Sequence, residues 1–157
     1  MDKLLLDTTY LLPIFKIKIK LERYEELFPY ITRRYKILYN PVSIVEAKWI
    51  TLKLCKQLPH KKKQLLKAFR TGLASLRRSR IKPTILTSPS IEETADKLLL
   101  EAGIKDYFDR IIYATAAYYA ATLLTEDKAL QEISGETIPK PPETLDWKTL
   151  KETLNQH

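Results

Sequence analysis

The sequence predicts an α/β domain built on a mostly parallel sheet. Short apolar runs alternate with longer stretches of helical period, the order of elements in which crossover helices connect parallel strands. No internal repeat and no Gly/Ser linker divides the 157 residues, a length ordinary for one globular domain. One domain over residues 1–157 is expected, with a core of about 3–138 and a tail of 139–157.

The elements follow in order. Lys3 to Leu6 reads as a short apolar strand ending at Asp7. Thr8 and Thr9 open a helix that Pro13 limits to its first turn or kinks. Leu21 to Arg34 is amphipathic, and Tyr35 to Asn40 is a second strand. Pro41 suits the first position of a helix over about Val42 to Leu58, which carries Glu46. Leu65, Phe69, Leu73 and Leu76 recur at helical spacing within Pro59 to Arg80 and place one apolar stripe inward. Thr84 to Thr87 is the third strand. Ser90 and Glu93 read as a capping box for a helix ending near Gly103. A helix over about Asp106 to Tyr119 precedes a strand over Ala121 to Thr125, and a short helix follows Asp127. Ile138 is placed in a last edge strand before Pro139, Pro141 and Pro142, and one helix is expected from Glu143 onward.

Composition excludes several classes. The single cysteine, Cys55, rules out an internal disulfide framework and a cysteine-rich zinc ribbon. The longest apolar stretch, Ile111 to Leu124, has 14 residues, short of the roughly 20 that cross a bilayer. The N-terminus carries Asp2 and Asp7 without a basic leader region. A soluble, cytoplasmic protein with no membrane association is expected. Six amides among many Lys, Glu and Ile hint at a thermophilic source.

The net charge of +8 has one location. Pro59 to Lys82 holds nine bases (Lys61, Lys62, Lys63, Lys67, Arg70, Arg77, Arg78, Arg80 and Lys82) and no acid, against 18 bases and 19 acids elsewhere. Such a run serves either a polyanionic partner, such as nucleic acid or an acidic protein, or solubility.

Functional groups of an open parallel sheet gather at the carboxyl ends of its strands. Asp7 and Asp127 occupy such ends, where capping a helix is the competing explanation for each. Glu46 shares a helical face with Val42, Trp49 and Ile50, and Asp109 neighbours Phe108 and Ile112. A carboxylate on an apolar face costs several kcal/mol unless it is paired or binds a metal. A salt bridge to Arg110, or N-cap duty for Asp109, are the alternatives. Were the four acids to converge, they could not all stay ionised without a cation, and Mg²⁺ or Mn²⁺ is the oxygen-seeking choice. Zinc is disfavoured, since His60 and His157 are far from these acids in sequence. A magnesium-type site can activate water and neutralise a phosphate oxygen, as phosphodiester hydrolysis requires.

These residues carry a resemblance. Leu5-Leu6-Asp7-Thr8-Thr9, Val45-Glu46, the run from Asp109 to Ala116, and Leu124 to Lys128 are similar, in order and placement, to the motifs of PIN-domain proteins of the VapC-type toxin ribonuclease group. The resemblance covers about Lys3 to Ile138. One departure stands out: the segment between Glu46 and Asp109 is longer and more basic than in compact members. The resemblance implies a three-layer α/β/α sandwich and an acidic pocket for one or two Mg²⁺ or Mn²⁺ ions. It also implies cleavage of single-stranded RNA, a homodimer and an antitoxin partner. Asp7, Glu46, Asp109 and Asp127 would be the catalytic, metal-binding acids, with Thr125 and Thr8 as supporting hydroxyls.

Two further roles are open. Lys61, Lys62, Lys63, Arg77, Arg78 and Arg80 could guide the RNA backbone, giving affinity without sequence specificity. Tyr113, Tyr118 and Tyr119 offer rings for base stacking, unless they belong to the core or an interface. The competing functions are a non-catalytic RNA- or partner-binding module on the same fold, and a phosphatase using Asp7 as nucleophile. The last is weakened because Asp7-Thr8-Thr9 lacks the second nearby Asp such chemistry uses as acid.

Overall fold

The computed structural model describes residues 1–156; His157 lies outside them. Five parallel strands form one sheet in the order β3-β2-β1-β4-β5, with β1 at Lys3–Leu6, β2 at Lys36–Tyr39, β3 at Lys82–Pro83, β4 at Thr122–Leu124 and β5 at Thr144–Leu145. The helices are α1 Tyr24–Arg34, α2 Val42–Gln57, α3 Lys62–Arg78, α4 Pro89–Leu100, α5 Tyr107–Tyr118, α6 Lys128–Gln131 and α7 Trp147–Asn155, with a 3-10 helix at Thr8–Phe15.

Side chains alternate across a pleated strand, and here the alternation sorts two cores. Leu4, Leu6, Ile37, Tyr39 and Leu124 face one layer with Phe15, Phe69, Leu76, Trp147 and Leu150. Leu5, Leu38 and Leu123 face the other with Ile91, Leu98, Ile111 and Ile112. Helices α1, α3 and α7 thus cover one face and α4 and α5 the other, giving the three layers expected. Gly72 lets α3 approach the 3-10 helix: a Cβ there would lie 2.6 Å from the Phe15 ring and 2.7 Å from the Ile14 carbonyl oxygen.

Several expected boundaries are corrected. Helix α1 begins at Tyr24 rather than Leu21, because Lys16 and Arg23 both adopt left-handed backbone (φ 63° and 58°) and bracket an irregular stretch. The third strand is Lys82–Pro83, not Thr84–Thr87. Pairing with β2 sets it, and the Thr84 amide donates to the Tyr39 carbonyl at 2.9 Å. Alternate amides point to opposite edges, so the missing N–H of Pro83 falls on the open side. The N-cap of α4 is Ser88, which accepts from the Ile91 amide at 3.1 Å. Pro89 then takes the first helical position, and Ser90–Glu93 is no capping box.

The last edge strand is Thr144–Leu145, while Ile138 is a buried loop residue. Residues after Glu143 therefore supply a strand as well as α7, whose Trp147, Leu150 and Leu154 enter the core.

A candidate metal centre at the switch point

Strand order reverses between β1 and β4, the topological position at which open parallel sheets place their sites. Both strands end in polar residues there, and the Asp7 amide donates to the Leu124 carbonyl at 2.9 Å, locking the two ends together. A cavity of about 210 Å³ opens beside them, lined by Asp7, Thr8, Glu46, Asp109, Glu126 and Asp127, with Thr9 and Ile50. All four sequence-nominated acids reach it.

Asp7 is 9% exposed. Its Oδ1 accepts from the Thr8 amide at 2.7 Å and its Oδ2 from the Thr125 hydroxyl at 2.6 Å. Burial raises its pKa; these two bonds oppose the rise, and Asp127 and Asp106 add to it. The buried Thr125 hydroxyl also accepts from the Asp127 amide at 3.1 Å, so it ties the ends of β1 and β4 to the loop beyond.

Glu46 comes from the second turn of α2. Burial raises its pKa, a hydrogen bond from Thr8 lowers it, and Asp7 and Asp106 raise it further. The Thr8 hydroxyl is also hydrogen-bonded to that of Ser43, at 2.9 Å. Asp109 is pushed up to about 7, by burial first and then by Asp7, Asp106, Asp127 and Glu46. No ion pair to Arg110 relieves it. That guanidinium stacks over the Tyr107 ring at 5.1 Å, and its Nε has no partner among the described residues.

Asp109 is also not the cap of α5. Asp106 is, accepting from the Asp109 amide at 3.1 Å. Asp106 is the acid that sequence reasoning missed as a site residue. Carboxylate oxygens of Glu46, Asp106 and Asp109 lie within 4.8 Å of one another, the tightest acidic group among the described residues. Its signal was present, since residues three apart share a helical face. Glu126 was missed too; it accepts from the Tyr10 hydroxyl at 2.7 Å and the Trp147 amide at 2.9 Å. Asp127 both lines the cavity and caps α6, its Oδ1 accepting from Ala129 at 2.8 Å.

The basic residues lie elsewhere. Lys61, Lys62 and Lys63 sit at the start of α3 and Arg77, Arg78 and Arg80 at its end, all exposed, and none lines the acidic cavity. Seventeen residues at 1.5 Å each separate the two groups by about 25 Å. No ion pair involves any of them among the described residues. Tyr113 is buried, which removes it from base stacking. Tyr118 and Tyr119 stack edge-on at 5.5 Å at the opposite end of α5 from Asp109. A larger hollow of about 630 Å³, along Lys16–Glu26, mixes Lys16, Lys18 and Arg23 with Glu25 and Glu26 and gathers no acidic cluster.

An all-parallel sheet with an acid-lined crevice at its switch point defines a class, and the comparisons agree. The PIN domain family model matches residues 4–136, so the chain belongs to the PIN domain family. PIN domains are generally metal-dependent nucleases, and the acidic cluster accords with a PIN metal site.

Among solved structures, PAE2754 from Pyrobaculum aerophilum is similar with a TM-score of 0.60 at 19% identity, over 99% of this chain and 97% of that one. VapBC2 from Rickettsia felis, solved bound to a DNA fragment from its promoter, is similar with a TM-score of 0.63 at 18% identity, over 92% of this chain and 98% of that one. A search of curated proteins returns no match. No described helix is long and apolar enough to cross a membrane.

Proposed function

We propose that the protein is a Mg²⁺- or Mn²⁺-dependent endoribonuclease that hydrolyses phosphodiester bonds of single-stranded RNA, acting in the cytoplasm as the VapC-type toxin of a toxin–antitoxin pair. The observation that carries this reading is the convergence of Glu46, Asp106 and Asp109 within 4.8 Å beside Asp7 and Asp127. The donor set fits a hard divalent cation: it is all carboxylate, and no salt bridge neutralises it among the described residues. Like charges that raise one another's pKa call for a counter-ion.

Asp7, Glu46, Asp109 and Asp127 would hold the ion, with Asp106 beside them. The bound ion supplies Lewis-acid polarisation of a phosphate oxygen and an acidified water. The chain does the rest. Thr125 and the Thr8 amide keep Asp7 oriented and favour its ionised form. Asp127, whose Oδ1 caps α6, keeps Oδ2 for the ion, and its carboxylate or that of Glu46 would orient the attacking water. The bases of α3 steer the RNA backbone. The protein pairs as a homodimer. The antitoxin lays a helix in an apolar groove and reaches the acids with a basic side chain.

The second reading, a non-catalytic RNA- or partner-binding module, draws on one observation: Asp7, Asp106 and Asp127 each cap a helix and so have structural work of their own. Incubating purified protein with single-stranded RNA and Mn²⁺ separates the two. Cleavage that Asp7→Asn abolishes, with an unchanged circular dichroism spectrum, supports the nuclease. A folded, RNA-binding protein that cleaves nothing with either ion sinks it.

A further inference from the structure

We propose that the indole of Trp49 is the stacking platform for a nucleobase next to the phosphodiester at the acidic cavity. This rests on the RNA-directed reading above and adds the residue that positions the substrate. Trp49 is 61% exposed, whereas the chain's other tryptophan, Trp147, is 2% exposed. An indole left in water on a rigid helix is the exception for this residue type.

Its location gives the exposure a use. Trp49 lies three residues after Glu46 and one before Ile50, both of which line the cavity, so it stands on the rim about one helical turn, some 5 Å, from a cavity acid. A second element fixes it. The Phe108 ring meets it edge-on, with centroids 5.2 Å apart and planes at 65°, and Phe108 precedes Asp109. The two aromatic residues thus come from the same two helices that bring Glu46 and Asp109 together.

A ring held this way loses little conformational freedom when a base lies on it. Base–aromatic stacking is sequence-tolerant because every base has a π-face. None of the three tyrosines nominated from sequence can do this, since one is buried and two lie at the far end of α5. Val45 and Leu52 extend an apolar stripe from Trp49 along α2, so a protein surface is the competing occupant. The acidic cavity about one helical turn from Trp49 decides for a nucleotide, whose phosphate and base are joined at that scale.

The test titrates the full chain with an oligoadenylate of about eight nucleotides, in Ca²⁺ so that a hard cation fills the acids, with cleavage followed on a gel. Trp49 emission quenches on binding, while buried Trp147 serves as the internal reference. Trp49→Leu abolishes the quench and weakens binding roughly tenfold to a hundredfold by fluorescence anisotropy; Trp49→Phe retains much of the affinity. Absence of binding by the unmodified chain overturns the proposal. So does a quench that survives replacement of the bases by abasic sugars, unchanged affinity in Trp49→Leu, or a Trp49→Leu chain that shifts from dimer to monomer in sedimentation. A protein that quenches and binds but cleaves nothing with Mn²⁺ defeats the nuclease reading and leaves the platform standing. Cleavage with an unchanged KM in Trp49→Leu does the reverse.

Discussion

The packing around Trp147 and the cavity around Asp7 meet at Glu126, yet they obey opposite rules. Around Trp147 each polar group has a partner. The indole donates to the Glu22 carbonyl at 2.7 Å, the Tyr24 hydroxyl donates to the Tyr10 carbonyl, and the Trp147 ring lies 6.3 Å from that of Tyr10 and 5.3 Å from that of Tyr24. Around Asp7, acids are pressed together with no base among them, and three have pKa values raised by burial and mutual repulsion. One region stabilises the fold. The other is held in place by it against its own repulsion, as expected of a site that needs a cation.

Breaking the first region has the largest effect. Trp147→Ala removes a side chain buried to 2% exposure and its hydrogen bond, and costs about 3–5 kcal/mol in urea unfolding. A loss below about 1 kcal/mol would show that α7 is not part of the cooperative core. The second region answers to ligand instead: Mg²⁺ at about 100 times its Kd raises unfolding free energy by about 2.7 kcal/mol. The gain is smaller at pH 6 than at pH 8, because protons compete for Asp109 near pH 7. A pH-independent gain would place the ion elsewhere.

Gly72→Ala tests packing again. Its methyl meets the Phe15 ring at 2.6 Å and the Ile14 carbonyl oxygen at 2.7 Å, and overpacking of this kind costs about 1–3 kcal/mol while RNA cleavage per folded molecule is kept.

Asp109→Asn changes stability with the opposite sign. A carboxyl whose folded pKa lies above its unfolded value destabilises the fold fully above pH 7, and the penalty fades as pH falls toward 4. Metal-free wild type therefore gains stability from this group on going from pH 8 to pH 5. Asp109→Asn is more stable than wild type at pH 8, with a flatter profile in thermal melts, and loses cleavage. A destabilised Asp109→Asn at pH 8 would mean that repulsion is not what the site contains.

Much of this was legible in the residues themselves. β1 falls where the Lys3–Leu6 run predicts, α2 runs almost to its expected end, and the Phe69–Leu76 stripe points inward. Asp7 and Asp127 were nominated as strand-end acids and both reach the cavity. The misreadings share a cause. β3 and β5 have two residues each, too few to carry a period of their own, and exist because Tyr39 and Leu123–Leu124 offer them partners. Asp106 read as a helix start, which it is; that it also faces Glu46 depends on how α5 lies against α2.

Local chemistry, then, was settled by the order of residues: which runs are apolar, where the period changes from two to 3.6, and which acids sit where apolar side chains should be. Only the folded chain could decide that those acids share one crevice, that Trp49 stays in water beside them, and that the bases of α3 do not line the cavity. Such facts depend on pairings between residues far apart in the chain, and a local pattern fixes a segment's conformation and exposed face but not its neighbour.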